Sequence, residues 1–106
     1  LSSHYAPRAR VRLMDGASLR QALSVLPAPA TGQPPTVAVY SRSARPPSSV
    51  WPFRPMPADA AQAAHELFAA LRELDATGAA LIWIETPPAD PAWDGVRDRL
   101  QRAAAD

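Results

Sequence analysis

The sequence predicts a small α/β domain of three layers, built on a mostly parallel sheet of about four strands. Short apolar segments of strand length alternate along the chain with segments whose apolar residues recur at helical spacing. Some of the short segments have no polar face, which is typical of strands that helices cover on both sides. This alternation indicates parallel β-α-β units, and their right-handed crossovers make the domain Rossmann-like in handedness.

A strand and a helix are predicted before the first proline-rich segment. Val11 and Leu13 alternate with two arginines, the period-2 pattern of a strand with one face in water. From Ser18 onward, leucine and alanine recur at helical spacing until Pro27, which cannot donate a backbone hydrogen bond and ends the helix. Residues 27–35 are then predicted to be an exposed connection.

Two further strands are predicted on either side of a polar loop at residues 41–49. Residues 36–40 form a continuous, β-branched apolar run, which predicts a strand that is buried on both faces. Residues 50–53 are also apolar, but Pro52 lacks an N–H. We therefore expect this second segment at the edge of the sheet or at the end of a strand.

The longest predicted helix covers residues 60–76. Its apolar positions step by four, three, four and three and form one stripe, made of Ala60, Ala64, Leu67, Leu71 and Leu74. Asp59 suits the N-cap position, and Gly78 suits a left-handed C′ position. A buried strand at residues 79–84 and a turn at 87–91 are predicted next. The last amphipathic helix carries an apolar stripe of Trp93, Val96, Leu100 and Ala103.

Length and composition limit the classes of function. The 106 residues fit one domain, and the lack of cysteine excludes disulfides, thiolate metal sites and a cysteine nucleophile. The net charge is only +1, whereas a nucleic-acid-binding domain normally carries a clear basic excess, so we expect no direct nucleic-acid binding. No apolar run approaches the roughly 18 residues of a membrane span. We therefore expect no membrane contact and a cytoplasmic location.

Motifs for nucleotide, metal or nucleophilic chemistry are missing from the sequence. The glycines stand too far apart for G-x-G-x-x-G or a phosphate-binding loop; they are Gly16, Gly32, Gly78 and Gly95. His4 and His65 have no further ligand at metal-binding spacing, and His65 is predicted to be a partly exposed helix residue. No serine has the G-x-S-x-G context of a nucleophile elbow. We therefore expect no catalytic residue in the folded part of the chain.

Two groups of side chains allow both a structural and a functional interpretation. Four carboxylates are expected near the carboxyl ends of the last elements, where open α/β sheets bind ligands: Asp75, Glu85, Asp90 and Asp94. Turn hydrogen bonds also explain them, and we favour this structural role. Trp83 and Trp93 are expected in the core, whereas Trp51 is expected to be an exposed apolar contact for another domain.

The chain opens on a polar stretch that is typical of a linker and contains His4, Tyr5, Ala6 and Pro7. This tetrapeptide with residues 8–13 resembles the linker and first strand of two-domain L-threonylcarbamoyladenylate synthases. Residues 66–75 (ELFAALRELD) resemble the main helix of the C-terminal domain of that family, and residues 96–104 resemble its closing helix. The three segments occur in the family's order and span nearly the whole chain.

The resemblance implies that residues 1–9 are an interdomain linker and that residues 10–106 are one accessory domain without catalytic residues. In the family, a YrdC-like N-terminal domain condenses L-threonine, bicarbonate and ATP into threonylcarbamoyl-AMP and pyrophosphate, for threonylcarbamoyladenosine modification of tRNA. That domain is the implied partner. ATP with magnesium is implied for the full-length enzyme and no cofactor for this chain. The residues implied to help close the catalytic pocket are His4, Tyr5, Ala6 and Pro7.

Ser2 and Ser3 stand where basic or aromatic residues can precede the His-Tyr pair in the family, so we do not expect them to contact phosphate. Two other classes of function stay open. One is an independent small-molecule or nucleotide-binding module that uses the carboxyl edge of its sheet. The other is a protein-interaction domain that uses Trp51 and the proline-rich surface segments.

Overall fold

The computed structural model describes residues 7–105 and has the element order that the sequence predicts. The strands are β1 (Arg10–Met14), β2 (Val37–Ser41), β3 (Phe53–Pro55) and β4 (Leu81–Glu85). The helices are α1 (Gly16–Ser24), α2 (Ala60–Asp75) and α3 (Asp94–Ala104), and a single 3-10 turn, Pro91–Trp93, leads into α3. The predicted α/β class with about four strands is therefore confirmed.

The four strands form one sheet in the order β1-β4-β2-β3, and all neighbouring strands run parallel. β4 enters the sheet last but lies between β1 and β2, with Trp83 in register with Arg12 on one side and Val39 on the other. Helix α1 connects β1 to β2, and α2 connects β3 to β4 in the opposite direction across the sheet. Since such crossovers are right-handed, the two helices pack on opposite faces.

Two apolar layers separate the sheet from its helices. Under α2 and α3 the buried side chains include Val11, Ala38, Tyr40, Leu67, Leu71, Ile82, Ile84, Val96 and Leu100. Under α1 they are Leu19, Leu23, Val37, Val39, Ala44 and Trp51. β2 is buried along its whole length because it has a strand on each side and an apolar layer on each face. This confirms the interpretation of residues 36–40 as a doubly covered strand.

The ends of the elements follow local chemistry. α1 begins at Gly16, before the predicted start at Ser18, because the Asp15 side chain accepts a hydrogen bond from the Ser18 amide at 2.7 Å and caps the helix. Asp59 caps α2 as predicted, through the Gln62 amide at 2.9 Å. Gly78 has the predicted left-handed conformation, with φ of +84°, although it lies two residues beyond the Ala76 C-cap.

The tertiary packing corrects several side-chain predictions. Trp51 is only 4% exposed, so the prediction of an exposed contact for another domain is wrong. The loop after β2 folds back toward α1 and places this ring in the layer between α1 and the sheet. Trp93 is buried as expected, but Trp83 is only half-buried. On α2, Ala64 is exposed and Ala63 takes the predicted place of Ala64 in the core.

β3 is a short strand at the edge of the sheet, as Pro52 predicts, but it covers Phe53–Pro55 and shares only Phe53 with the predicted segment 50–53. It pairs with β2 on one side, and within the described residues no strand pairs with its other side. Pro52 and Pro55 lie at its two ends and cannot donate backbone hydrogen bonds. The prolines therefore limit β3 to its three residues and protect the free edge from pairing with another strand.

Candidate functional site

The carboxyl edge of the sheet is where ligands bind in open α/β folds, and here it is occupied by a polar cluster. Ser41 ends β2, Glu85 ends β4, and Gly16 opens α1 directly after the end of β1. The strand order brings these ends together because β4 lies between β1 and β2. We call Ser41, Arg42, Ser43 and Glu85 the carboxyl-edge network.

Glu85 is the centre of the carboxyl-edge network. It is 5% exposed and accepts five hydrogen bonds within the described residues. Its Oε1 accepts from the Ser41 hydroxyl at 2.8 Å and from the amides of Arg42 at 2.9 Å and Ser43 at 2.8 Å. Its Oε2 accepts from the Ser43 hydroxyl at 2.9 Å and from Arg42 Nη2 at 3.0 Å. These five hydrogen bonds offset the cost of removing the buried carboxylate from water.

Arg42 closes the network on its outer side. Its Nη2 donates to the Thr86 carbonyl at 3.2 Å as well as to Glu85, and its guanidinium lies 5.6 Å from the centre of the Trp93 ring. The ring therefore covers the ion pair with a cation–π contact. The Trp93 side chain is itself buried against the core, which fixes the position of the guanidinium.

The environment of Glu85 keeps its carboxylate charged. Burial by itself raises the pKa of Glu85, but the Ser43 amide, the hydroxyls of Ser41 and Ser43 and the guanidinium of Arg42 outweigh this effect. The net result is a pKa below the ordinary value of 4.5. At neutral pH Glu85 is therefore ionised, and it pairs with the partly buried guanidinium of Arg42.

Gly16 leaves little free space beside Glu85. A Cβ at position 16 would lie 2.9 Å from the Ser43 hydroxyl oxygen and 3.0 Å from Glu85 Oε2. The side chain of Glu85 thus reaches the start of α1, where a nucleotide-binding fold places its phosphate. Here the glycine accommodates the protein's own carboxylate.

The predicted grouping of carboxylates at the carboxyl edge is wrong for Asp75. This residue ends α2, which runs opposite to the strands and therefore brings Asp75 to the amino edge of the sheet. Asp90 accepts from the Ala92 amide at 2.9 Å and caps the 3-10 turn, and Asp94 pairs with Arg97 at 2.6 Å. The contacts of Asp75, Asp90 and Asp94 agree with the structural role that we favour for them. Of the four predicted carboxylates, only Glu85 belongs to the carboxyl-edge network.

Asp75 holds the segment through which the chain enters β1. Its Oδ1 accepts from the Ala9 amide at 2.9 Å and its Oδ2 accepts from the Arg8 amide at 3.1 Å. Pro7, the first described residue, is half-buried just before this clamp. His4, Tyr5 and Ala6 lie outside the described residues. The structure thus fixes where the predicted linker leaves the domain.

Other kinds of site are not found in the described part of the chain. His65 is exposed on α2, and no group of three or more histidine, cysteine, aspartate or glutamate residues in positions 7–105 could hold a metal ion. No helix among these residues has the length and apolar character needed to cross a membrane. One groove of about 420 Å³ lies beside the loop after β2 and is lined by Arg45, Pro46, Ser48, Ser49, Trp51, Pro52 and Phe53.

A comparison with protein-family models matches residues 1–105 to the C-terminal domain of threonylcarbamoyl-AMP synthase. The chain belongs to this family. The family relationship predicted from three sequence segments is thereby confirmed, and the match includes both residues 1–9 and α3. No curated protein and no solved structure shows significant similarity to the chain. The threonylcarbamoyl-AMP synthase C-terminal domain described here thus has a carboxyl edge occupied by its own Glu85.

The carboxyl-edge network is not among the sites predicted from the sequence. A usable signal was present, since a Ser-Arg-Ser triplet directly follows one buried strand and a glutamate ends another. Carboxyl ends of parallel strands share one sheet edge, so the two segments could have been paired. The missing information was the strand order, which places β4 next to β2.

Proposed function

We propose that this chain is the non-catalytic C-terminal accessory domain of a threonylcarbamoyl-AMP synthase. A preceding YrdC-like domain carries out the reaction, in which L-threonine, bicarbonate and ATP, with magnesium, form threonylcarbamoyl-AMP and pyrophosphate for tRNA modification in the cytoplasm. The linker of this chain helps to close the catalytic pocket of that domain. The pocket-closing residues are His4, Tyr5, Ala6 and Pro7.

The observation that carries this proposal is the family match over residues 1–105. The match covers residues 4–7, β1 and every later element. The tetrapeptide at residues 4–7 therefore lies within the part of the chain that is similar to the family's C-terminal domain. A shared fold would not by itself support the assignment, because such α/β domains serve many functions.

The contacts of the carboxyl-edge network support an accessory role. In nucleotide-binding relatives of this fold class, glycines after the first strand leave room for a phosphate. In this chain the corresponding space beside Gly16 holds the carboxylate of Glu85, which already has five hydrogen-bond donors. An anionic substrate at this edge would have to displace a buried ion pair.

The clamp at Asp75 supports a role for the linker. Two hydrogen bonds hold the amides of Arg8 and Ala9 directly before β1, so the linker is attached to a rigid part of the domain. Fixing one end of a short flap lowers the entropy cost of closing it, because the open flap then has fewer conformations to lose. Closing such a flap over a reactive acyl-adenylate excludes water and positions polar side chains near the nucleotide.

The proposal is tested in the protein that includes the preceding domain, with His4→Ala/Tyr5→Ala. We expect threonylcarbamoyl-AMP formation to fall roughly tenfold to hundredfold, which is typical when a positioning element is removed. Ser2→Ala/Ser3→Ala is the matched control in the same linker and should leave the rate unchanged. Equal rates for the wild type and the His4→Ala/Tyr5→Ala variant would refute the role of the linker.

The two alternative functions receive little support from the described residues. A small-molecule module would need an open carboxyl edge, which Glu85 occupies. A protein-interaction domain was predicted to use Trp51 and the proline-rich surface segments, and of these Trp51 is buried. Titration of the chain with ATP, L-threonine and threonylcarbamoyl-AMP separates these options, and submillimolar binding to the 106-residue chain would favour the small-molecule module.

A further inference from the structure

We propose that residues 41–43 form a carboxylate-binding site and that Glu85 is its built-in ligand. The native domain is therefore closed to external anions at this edge, and shortening residue 85 opens the site to a small carboxylate. This inference concerns the folded domain alone and does not depend on the proposed function.

The donors come from one segment and the anion from another. Ser41, Arg42 and Ser43 supply all five hydrogen bonds, whereas Glu85 lies more than 40 positions away in the sequence. Three donors meet Oε1 and two meet Oε2, an arrangement that fits the two oxygens of a planar carboxylate. The segment thus has the composition of an anion receptor, with two backbone amides, two hydroxyls and one guanidinium.

Contacts that do not involve Glu85 hold each donor in place. The Ser41 hydroxyl oxygen also accepts from the Ala44 amide at 2.9 Å, and the Ser41 carbonyl accepts from the Met56 amide at 2.9 Å. Ser43 Oγ accepts from Arg20 Nη1 at 3.2 Å. The donors therefore stay oriented when the carboxylate is removed, so the site is preorganised.

Arg42 is also fixed independently of Glu85. Its Nη2 donates to the Thr86 carbonyl, its Nη1 lies 3.5 Å from Met56 Sδ, and its guanidinium lies over the Trp93 ring. Removal of the Glu85 carboxylate leaves this cation partly buried and without a counter-ion. An external anion is therefore favoured at the vacated position.

The size of the site indicates which anion it takes. The change Glu85→Ala deletes Cγ, Cδ and both carboxylate oxygens, and acetate consists of the same four heavy atoms. Space for a larger ligand is limited on the Gly16 side, since a single added carbon there would lie 3.0 Å from Oε2. The five donors bind two oxygens, whereas tetrahedral phosphate has four, so two phosphate oxygens would have no donor in this site. The site therefore prefers acetate or formate to phosphate.

The test measures the thermal stability of the 106-residue chain carrying Glu85→Ala in sodium acetate, sodium phosphate and sodium chloride at equal ionic strength and neutral pH. We expect 100 mM acetate to raise the melting temperature of this variant by roughly 4 °C or more relative to chloride, with saturation. Phosphate should have a smaller effect. If the variant is unfolded in chloride, folding on addition of acetate, followed by circular dichroism, is the readout.

Two controls separate a site from a general salt effect. Glu85→Gln fills the same volume and should not respond to acetate, and Asp98→Ala removes an exposed carboxylate that pairs with Arg102 and should not respond either. The proposal is overturned if acetate and chloride act alike on Glu85→Ala. An equal acetate effect on the wild type or on a control also overturns it. A phosphate effect as large as that of acetate would contradict the carboxylate preference.

Discussion

At the scale of single residues, three buried polar side chains form hydrogen bonds on opposite faces of the sheet. Glu85 and Ser41 point to the side of α1, whereas Tyr40 points to the side of α2. The Tyr40 hydroxyl is buried and donates to Glu66 Oε2 at 2.9 Å, and Arg54 Nε lies 3.4 Å from the same oxygen. Each group has its partners on neighbouring elements, so each hydrogen bond fixes one element against another.

Glu85 makes the stability of the domain depend on pH. Its pKa lies below the ordinary value of 4.5, so its contribution to folding is fully present above that pH. The contribution is lost as the pH falls through the pKa of the folded state. We expect Glu85→Gln to lower the free energy of unfolding by about 3 kcal/mol at pH 7, because Arg42 loses its counter-ion.

Urea unfolding of the wild type and Glu85→Gln at pH 7 and in steps down to pH 3 checks this prediction. The difference between the two proteins should shrink as the solution becomes more acidic. A difference that stays constant between pH 7 and pH 3 would show that the charge of Glu85 does not contribute.

Tyr40 supplies the second test at this scale. Burial, and then the neighbouring Glu66, raise the pKa of the Tyr40 hydroxyl, so it is neutral and remains a donor. Tyr40→Phe should lower the free energy of unfolding by about 1.5 kcal/mol, because a hydrogen bond to a charged acceptor is lost. Ser24→Ala, which removes an exposed hydroxyl, should change it by less than about 0.5 kcal/mol. Equal effects of the two substitutions in a denaturant titration would contradict the role of Tyr40.

At the scale of the elements, α2 contacts both the centre of the sheet and its amino edge. Its side chains Leu67, Leu71 and Leu74 are buried against the sheet. The carboxylate of Glu66 accepts a hydrogen bond from the hydroxyl of Tyr40, which lies on β2. Its last residue, Asp75, lies at the amino edge and holds the start of β1. The helix thus couples the entry of the chain to the centre of the core.

Asp75→Ala tests the clamp at the entry to β1. Two amide donors lose their acceptor, one of them partly buried, so we expect the free energy of unfolding to fall by about 1–2 kcal/mol. Hydrogen exchange at the Arg8 and Ala9 amides should become faster relative to the amides of β4. Asp98→Ala, on the exposed face of α3, is the control. Unchanged protection of both amides in Asp75→Ala would show that the clamp does not hold the entry to β1.

Sequence periodicity predicts the helices and strands of this domain, but it does not predict how they are arranged relative to one another. The apolar run 36–40 identifies a buried strand because burial on both faces leaves no polar position. Trp51 was misjudged because its burial depends on the loop after β2 folding toward α1. Asp75 was placed at the wrong edge because its position depends on the direction of α2 relative to the strands. The carboxyl-edge network needed the strand order, which local patterns do not encode.

At the scale of the whole molecule, the domain combines a carboxyl edge that its own side chains fill with an entry to β1 that Asp75 holds. Glu85 fills the position at which other α/β sheets bind ligands. The amino edge, by contrast, holds residues 8 and 9, which lead into β1. Under the proposed function, the chemistry belongs to a preceding domain and this chain supports a pocket-closing linker.

The most direct test compares threonylcarbamoyl-AMP formation by three forms of the proposed two-domain enzyme: the full protein, its preceding domain alone, and the present chain alone. All three are supplied with ATP, magnesium, L-threonine and bicarbonate. We expect no product from the present chain, and a rate from the preceding domain that is well below that of the full protein. Product formation by the present chain alone, or a preceding domain as active as the full protein, would contradict the proposed function.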